Sequence, residues 1–391
     1  DVIKGPTSAL FGNFAFSGIV NVRTLDHLDG TRAWVNGGSA GHLEGTVLSG
    51  FGADSSTHGV VGARAVHEGG WRPNSNYDLA QAHLRLVRDL SKSATLDGGV
   101  ELYGSQWNSA GYLSETEFEN RDYDIVSNKS DGGHKLRAQE RASLRVLSGN
   151  MLWRSTVYAT QGDWRLFLTI PPAGGIFEGN GSQTEETDNR FGFGATSAVT
   201  WQLSRAELTV GGEGRFDQSH YENWFTTDRA RDSAQALLHA HQLSGGLFAQ
   251  AGVDVTSRLR LDLGARYDVL DTHDAPSGEE PAQESRGIFT PKMGALFKLT
   301  DAVGVYANVS KGFRSTDGVI EDPRQCHFDP ASLVCKAGDA AGECLTPAQV
   351  AAANAIYNGA RRSDGRAIFA GYPRGSEAQW AELWAGAAPG G

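Results

Sequence analysis

The chain has 391 residues, of which 35 are Lys or Arg and 46 are Asp or Glu, so its formal net charge is -11 at pH 7. This acidic balance excludes a general nucleic-acid-binding protein, because such proteins present a basic face to the phosphates. No stretch approaches the roughly 18 to 20 consecutive apolar residues of a membrane-spanning helix. A transmembrane β-barrel is compatible with the 39% hydrophobic content, since its strands carry apolar residues only at alternate positions.

The N-terminal segment combines turn signals with one short strand. Residues 4–24 read K-G-P-T-S-A-L-F-G-N-F-A-F-S-G-I-V-N-V-R-T. Pro6 is suited to the first turn of a helical piece, and Gly12 and Gly18 indicate positive φ or close backbone approach. The β-branched run at 19–22 predicts a strand. The sequence starts without Met and without a signal peptide, so we expect that an N-terminal part precedes it.

A period of two dominates the next three hundred residues. Residues 258–270 carry the clearest signal, R-L-R-L-D-L-G-A-R-Y-D-V-L, and the same alternation occurs at 82–86, 142–146, 293–299 and 303–309. Successive side chains of a strand point to opposite faces, so each segment has one apolar and one polar face. In the clearest segment the apolar face carries Leu259, Leu261, Leu263, Ala265, Tyr267 and Val269, and the polar face carries Arg258, Arg260, Asp262, Arg266 and Asp268.

The connections between these strands are of two lengths. Short polar breaks predict tight hairpins at 90–92, 147–150, 203–205, 255–257 and 299–301. Long polar stretches predict loops at 67–78, 108–136, 163–190, 217–241 and 272–288. Together they predict about a dozen strands in a partial antiparallel transmembrane β-barrel, which belongs to a larger barrel. The fold class is therefore mainly β, with a short α-containing tail.

A soluble β-sandwich is the alternative interpretation, because it also alternates polar and apolar residues and uses hairpins. Two features favour the membrane barrel. The predicted strands exceed the ~5 to 6 residues that are usual in soluble sheets. The predicted loops are short at one end and reach about 29 residues at the other, which is uncommon in a compact soluble domain.

Aromatic residues in the predicted long loops are candidates for ligand contact, since aromatic side chains provide large and rigid contact surfaces. The alternative is that they form the aromatic girdles found at the bilayer edges of barrels. The candidates are Trp107, Trp164, Tyr221 and Trp224.

Three histidines of one predicted loop are candidate metal ligands: His220, His239 and His241. Imidazole is a common ligand of transition metals. His239 and His241 are two residues apart, as two ligands on one strand face would be. The alternative is that all three are solvated loop residues.

Residues 37–41 read G-G-S-A-G and match the G-x-S-x-G pattern of a serine nucleophile elbow. Such an elbow requires a turn between a strand and a helix. Here the following sequence predicts another strand, and we interpret the match as fortuitous.

The sequence changes character at 313–322, F-R-S-T-D-G-V-I-E-D, after which the alternation ends. All three cysteines follow: Cys326, Cys335 and Cys344. No C-x-x-C pair occurs, so zinc is not expected. A disulfide between two of the three cysteines is expected instead. The T-P-A-Q sequence at 346–349 predicts a capping box with Pro in the first helical turn, opening a helix that ends near Gly359.

The N-terminal motif resembles the end of the plug domain of TonB-dependent outer-membrane receptors, and the later strands resemble their barrel strands. The matching residues are Gly5, Pro6, Ser8, Leu10, Gly12, Ala15, Gly18, Asn21 and Thr24. Lys4, Phe11 and Ser17 depart from the family's usual Arg, Tyr and Gly. The resemblance covers residues 1 to about 316, with the end of the plug at 1–26 and a partial barrel at 27–316.

This resemblance implies active uptake of a scarce small-molecule ligand, such as a siderophore, across the cell outer membrane. The implied partners are outer-membrane lipid, the ligand and a TonB complex, with no nucleic acid, no cofactor and no catalytic residues. Family barrels of this kind have 22 strands. A sheet of about a dozen strands has two open edges, so we expect that this sequence alone neither inserts stably nor transports.

Residues 317–391 resemble a different family, the tannase and feruloyl esterase group of secreted serine hydrolases. The matching elements are D-G-V-I-E-D-P-R, C-L-T-P-A-Q-V and A-I-Y-N-G-A-R. The resemblance implies a lid fragment in which Asp317 is the remnant of a calcium-binding loop. It contains no catalytic Ser, Asp and His set, so we expect no hydrolase activity. We interpret the whole as a chimera of two fragments; a hydrolase with a β-rich N-terminal region is the alternative.

Overall fold

The structure is a computed structural model. It describes residues 2–4, 8–12, 18–53, 55–113, 115–126, 128–170, 182–278, 281–300, 302–313, 329–336, 344–359 and 362. Gly5, Pro6, Asp317 and Cys326, which the sequence singles out, lie outside the described residues. The described chain forms two compact units, one up to Phe313 and one from Asp329 onward.

The first unit consists almost entirely of antiparallel strands. Two short strands, β1 (Val2–Lys4) and β2 (Gly18–Val20), pair with each other. The remaining strands are β3 (Thr31–Gly37), β4 (Leu43–Phe51), β5 (Thr57–Glu68), β6 (Tyr77–Ser91), β7 (Ala94–Asn108), β8 (Gly132–Ser148), β9 (Met151–Ile170), β10 (Ser182–Gln202), β11 (Ala206–Thr227), β12 (Ala230–Asp254), β13 (Leu259–Pro276), β14 (Ala282–Lys298) and β15 (Gly304–Ser310). One short helix, α1 (Glu115–Asn120), follows β7.

Strands β3 to β15 form one sheet of thirteen strands, in which each strand pairs with its neighbours in sequence. The sheet is not closed: among the described strands, β3 and β15 each have a partner on one side only. The prediction of a partial antiparallel barrel of about a dozen strands, followed by a short helical tail, is confirmed.

The two faces of this sheet are inverted relative to those of a soluble protein. On β12 and β13 the apolar face is exposed, with Leu247 at 73% and Tyr267 at 52% of their full accessibility. The opposite face holds Arg266 and Asp268, which are 1% and 5% exposed. A soluble sandwich buries its apolar face against a second sheet. This inversion therefore argues against the sandwich alternative and is the arrangement expected of a membrane barrel.

All five short turns lie where the sequence predicts them, between β6 and β7, β8 and β9, β10 and β11, β12 and β13, and β14 and β15. The G-x-S-x-G match at 37–41 lies at the connection between β3 and β4, where Ala40 and Gly41 have φ values of 56° and 72°. The pattern thus lies in a hairpin turn without the helix that a nucleophile elbow needs.

Three of the predicted long loops are wrong in large part. Most of 163–190, 217–241 and 272–288 belongs to strands, and β11 and β12 are joined by the two-residue turn Asp228–Arg229, where both φ values are positive. Beyond the apolar band, both faces of these strands carry polar side chains. Alternation then disappears from the sequence although the backbone pairing continues. The loop predicted between β7 and β8 is confirmed.

The second unit contains a 3-10 turn, Pro330–Leu333, and the helix α2 (Pro347–Asn358). The predicted capping box is present: the Thr346 hydroxyl accepts from the Gln349 N–H, and the Gln349 side chain accepts from the Thr346 N–H. The predicted disulfide joins Cys335 to Cys344. Neither described helix is long and apolar enough to cross a membrane.

Candidate functional site

The N-terminal segment lies against the polar face of the sheet. Ser8 Oγ and the Ala9 N–H both donate to Gln250 Oε1 on β12, at 3.1 and 2.9 Å. Ala9 is fully buried, and its Cβ lies 3.1 Å from where a Cβ on Gly264 would be. Ser8 of the predicted plug motif is therefore a contact to the sheet.

A buried arginine lies beneath the same segment. Arg266 Nε donates to both carboxylate oxygens of Asp268, at 2.8 and 2.9 Å, and Nη2 also contacts Glu213 of β11. The guanidinium carbon is 5.7 Å from the centre of the Phe248 ring. A Cβ on Gly12 would be 2.6 Å from Nη2 of this arginine, so a larger residue at that position would displace the guanidinium from its partners.

The other glycine of the motif has a conformational role. Gly18 has a φ of 147°, which L side chains rarely adopt, and it pairs with Lys4 at the end of β1. The predictions for Gly12 and Gly18, close approach and positive φ, are both confirmed. Asn21 and Leu10 lie in the described part of the segment, and Leu10 borders the cavity beside it.

A cavity of about 1150 Å³ separates this segment from the polar face of β8 to β13. Two of the four predicted aromatic candidates, Trp164 and Tyr221, line it. Trp107 lines a separate cavity of about 280 Å³. Trp224 lies on the opposite face of the sheet. The structure therefore brings two of the four together.

Ion pairs within single strands shape the cavity wall, and the sequence reasoning missed them. Arg215 donates to both carboxylate oxygens of Asp217, at 2.5 and 2.6 Å. Arg190 contacts Asp188, which also accepts from Ser219 Oγ at 2.8 Å. In each pair the residues are two apart and share a face. The signal was present as R-x-D and D-x-R in the sequence.

The connection between β7 and β8 is held by side chains that reach its backbone. The Arg72 guanidinium donates to the carbonyl oxygens of Gly111, Tyr123 and Ile125, at 3.1, 2.8 and 2.7 Å. Fully buried Asp131 accepts from the Thr169 N–H. These bonds order the loop at the long-strand end of the sheet.

The three predicted metal candidates lie on strands and not in a loop. His220 of β11 is directly opposite His239 of β12, and their ring centres are 3.7 Å apart. His241 is opposite His273 of β13, with ring centres 4.7 Å apart. The prediction that His239 and His241 share a face is confirmed, and His273 was missed. Among the described residues, no three His, Cys, Asp or Glu side chains converge as a ready metal centre.

Trp224 belongs to a charged network near these histidines. Its Nε1 donates to Glu222 Oε2 at 3.0 Å, and its ring lies 4.7 Å from the Arg231 guanidinium carbon. Arg231 also donates to nearly buried Glu185, at 2.6 Å. The Trp224 hydrogen bond and then the Arg231 charge lower the pKa of Glu222, and the bond to Glu185 raises the pKa of Arg231.

The C-terminal part of the chain is similar to hydrolases. The sequence model described as tannase and feruloyl esterase matches residues 282–389. A probable feruloyl esterase B-2 from Aspergillus flavus is 39% identical over 66 residues, which cover 17% of this chain and 12% of that protein. Residues 282–310 of this match form β14 and β15, so the structure places them in the sheet.

Solved structures share the fold of the first unit. The ferripyoverdine receptor of the Pseudomonas aeruginosa outer membrane has a TM-score of 0.64 and 16% identity, covering 83% of this chain and 48% of that one. The copper transporter OprC has a TM-score of 0.64 and 15% identity, covering 81% and 50%. The ferric-catecholate import receptor Fiu from E. coli K12 has a TM-score of 0.61 and 14% identity, covering 80% and 59%.

The chain thus spans about half the length of these receptors. At such identities the similarity shows the fold alone. The family assignment comes from the sequence model described as TonB dependent receptor-like, beta-barrel, which matches residues 70–325. With that match, the inverted faces and the thirteen-stranded sheet, the chain belongs to the TonB-dependent receptor family.

Proposed function

We propose that residues 1–316 are part of an outer-membrane receptor that binds a small metal chelate for TonB-driven uptake. Residues 1–26 would be the end of its plug and 27–316 part of its barrel. The observation that carries this proposal is the seating of the N-terminal segment on the polar face, through Gln250 and over Arg266. A segment held inside the barrel by a few polar contacts is what a removable plug requires.

The exposed apolar face supports the location in a membrane. Leu243, Leu247, Tyr267 and Phe289 are all more than half exposed on three neighbouring strands. In water such a surface would be a site of aggregation. In a bilayer it is matched to the hydrocarbon, and ~9 to 11 residues of each tilted strand suffice to cross it.

The cavity supports a ligand of the size of a metal chelate. Its volume of about 1150 Å³ slightly exceeds the ~300 to 1,000 Å³ of most small-molecule sites. Its wall combines aromatic residues with paired charges, and that combination suits a ligand with aromatic and charged groups. Three relatives of the same fold are described as a ferripyoverdine receptor, a ferric-catecholate import receptor and a copper transporter.

Binding by the purified chain tests this proposal without requiring transport. The probes are ferripyoverdine, ferric citrate and a ferric catecholate, each titrated against the chain in detergent. Trp164→Ala removes an aromatic wall of the cavity, and we expect it to weaken binding by about tenfold, as for an aromatic contact worth ~1 to 2 kcal/mol. The matched control is Trp153→Ala, on the same strand but on the opposite face.

If Trp153→Ala weakens binding as much as Trp164→Ala, the cavity is not the site. If none of the three probes binds, the ligand is not a ferric chelate of these classes.

The similarity of the tail to esterases supports a second proposal, that residues 317–391 are a lid-like fragment without activity of their own. The sequence of this part has no serine elbow, and a lid without nucleophile, base and oxyanion hole cannot hydrolyse an ester. We expect no hydrolysis of methyl ferulate above the rate in buffer. Measurable turnover that disappears on heating would overturn this proposal.

A further inference from the structure

Four histidines stand in two adjoining rows across β11, β12 and β13. We propose that each of the two cross-strand pairs, His220 with His239 and His241 with His273, binds one divalent late transition-metal ion, and that Cu²⁺ is bound most tightly. The four imidazoles lie on the same face of the sheet as Leu243 and Leu247, and His241 is also among the residues that line the cavity. The proposal does not depend on the uptake function.

The register of the strands creates the two pairs. Residues directly opposite in an antiparallel pair have Cβ atoms ~4.5 to 5.5 Å apart. The ring centres of His220 and His239 are 3.7 Å apart, and those of His241 and His273 are 4.7 Å apart. Two imidazoles at this separation reach one ion at the usual metal–nitrogen distance of ~2.0 to 2.1 Å after a turn of the rings.

The position of the rows makes them accessible from water. The apolar band on this face ends at Phe216, which is opposite Leu243. The next row holds His241 and His273, and the row after it holds His220 and His239. His220, His239 and His241 are exposed. An ion therefore enters without opening the sheet.

The donor set points to the class of metal. His220 Nε2 lies 3.9 Å from Glu222 Oε1, but that carboxylate already accepts from Trp224 and pairs with Arg231 at 2.8 Å. Each pair therefore supplies two nitrogens, and water fills the remaining positions. Imidazole suits Cu²⁺, Ni²⁺ and Zn²⁺, and affinity generally peaks at Cu²⁺ in this series.

The alternative explanation of this geometry is that the four histidines contact lipid and bind no metal. Rings at the edge of an apolar band also serve as an interfacial girdle that contacts lipid headgroups. In that case the four imidazoles would stack on one another, and removing them would change no metal affinity. Metal binding and the girdle therefore predict different results.

The test is titration of the purified full chain in detergent with Cu²⁺ alone, by calorimetry and by electron paramagnetic resonance. We expect a signal with at least two coordinated nitrogens. The double variant His220→Gln/His273→Gln removes one donor from each pair. It should weaken binding by roughly tenfold or more, since loss of a ligand costs at least as much as loss of an outer-shell partner.

The matched control is His67→Gln. His67 is an exposed histidine of β5 on the same face of the sheet as the four histidines, and it bonds to Asp78 of β6. This variant should keep the wild-type Cu²⁺ affinity. A wild-type signal with a single nitrogen, an unchanged affinity in the double variant, or an equal loss in the control would each overturn the proposal. The wild-type spectrum distinguishes metal binding from the girdle even if a variant fails to fold. Failure of ferric chelates to bind would leave this result unaffected.

Discussion

The sheet and the C-terminal tail are stabilised in opposite ways. The sheet depends on partners far apart in sequence: Ser8 binds Gln250, and Glu213 binds Arg266. The tail depends on partners within about ten residues, a disulfide with a sequence separation of 9 and a capping box spanning three. A contact between residues that are far apart in sequence forms only when the chain between them is ordered. A contact between near neighbours stabilises a short segment directly. This difference predicts which substitutions are costly in each region.

The largest effect is expected where the sheet buries a charge. Arg266→Leu leaves the nearly buried Asp268 carboxylate without its partner, and breaking a buried pair costs about 3 to 5 kcal/mol. The free energy of unfolding, measured by urea titration, should fall by that amount. Arg260→Leu is the matched control, because it removes an arginine from an exposed pair with Asp262 on the same strand.

The control should change the free energy of unfolding by about 0 to 1 kcal/mol, as usual for exposed pairs. Equal losses in the two variants would mean that burial of Arg266 contributes nothing. The sheet would then owe its stability to backbone pairing alone, and the contrast with the tail would have to be drawn differently.

In the tail, the largest effect is expected from the disulfide. Replacing Cys335 and Cys344 by Ser releases a closed loop of about ten residues, which costs ~2 to 3 kcal/mol in the chain-entropy account. Hydrogen exchange of the α2 amides should become faster by the factor that corresponds to this loss of free energy, roughly 30- to 150-fold. Cys326→Ser, which retains the bonded pair, is the control. Unchanged protection in the double variant would show that the local tie is not what orders this unit.

A smaller effect is expected at the start of α2. Thr346→Ala removes the hydroxyl that accepts from the Gln349 N–H, and loss of such a cap costs about 1 kcal/mol. Amide protection at Gln349 and Val350, whose N–H groups bond to Thr346, should fall. Thr346→Ser keeps the acceptor and should keep most of the protection. If Ser and Ala behave alike, the methyl group and not the hydroxyl stabilises this end.

The same contrast explains what the sequence could predict. The disulfide, the capping box and the five short turns involve neighbours in sequence, and their signals are complete within a few residues. The faces of β13 were predictable because Leu263 and Arg266 differ in polarity. The extensions of β11 and β12 were not, because Asp217 and His220 are both polar although they face opposite sides. The burial of Arg266 depends on Gly12, more than 250 residues away, and nothing near either residue indicates it.

The smallest effect concerns Glu222, which has one partner on its own strand, Trp224, and one on the neighbouring strand, Arg231. Its pKa is lowered from the ordinary 4.5 by the Trp224 hydrogen bond and by Arg231. A carboxylate with a lowered folded-state pKa contributes stability that is fully present above the unfolded pKa and is lost as pH falls through the folded pKa. The difference in free energy of unfolding between the wild type and Glu222→Gln should therefore be largest above the ordinary pKa of 4.5 and should shrink as pH falls below it.

Trp224→Phe separates the two causes, because it removes the indole N–H and keeps an aromatic ring beside Arg231. If the local hydrogen bond is the larger cause, the pH-dependent difference between Glu222 and Gln should shrink in the Trp224→Phe background. If it does not shrink, the charge of Arg231, which comes from the neighbouring strand, is the larger cause. The Glu222 carboxylate would then depend on a partner across the strand pair even though a donor two positions away is available.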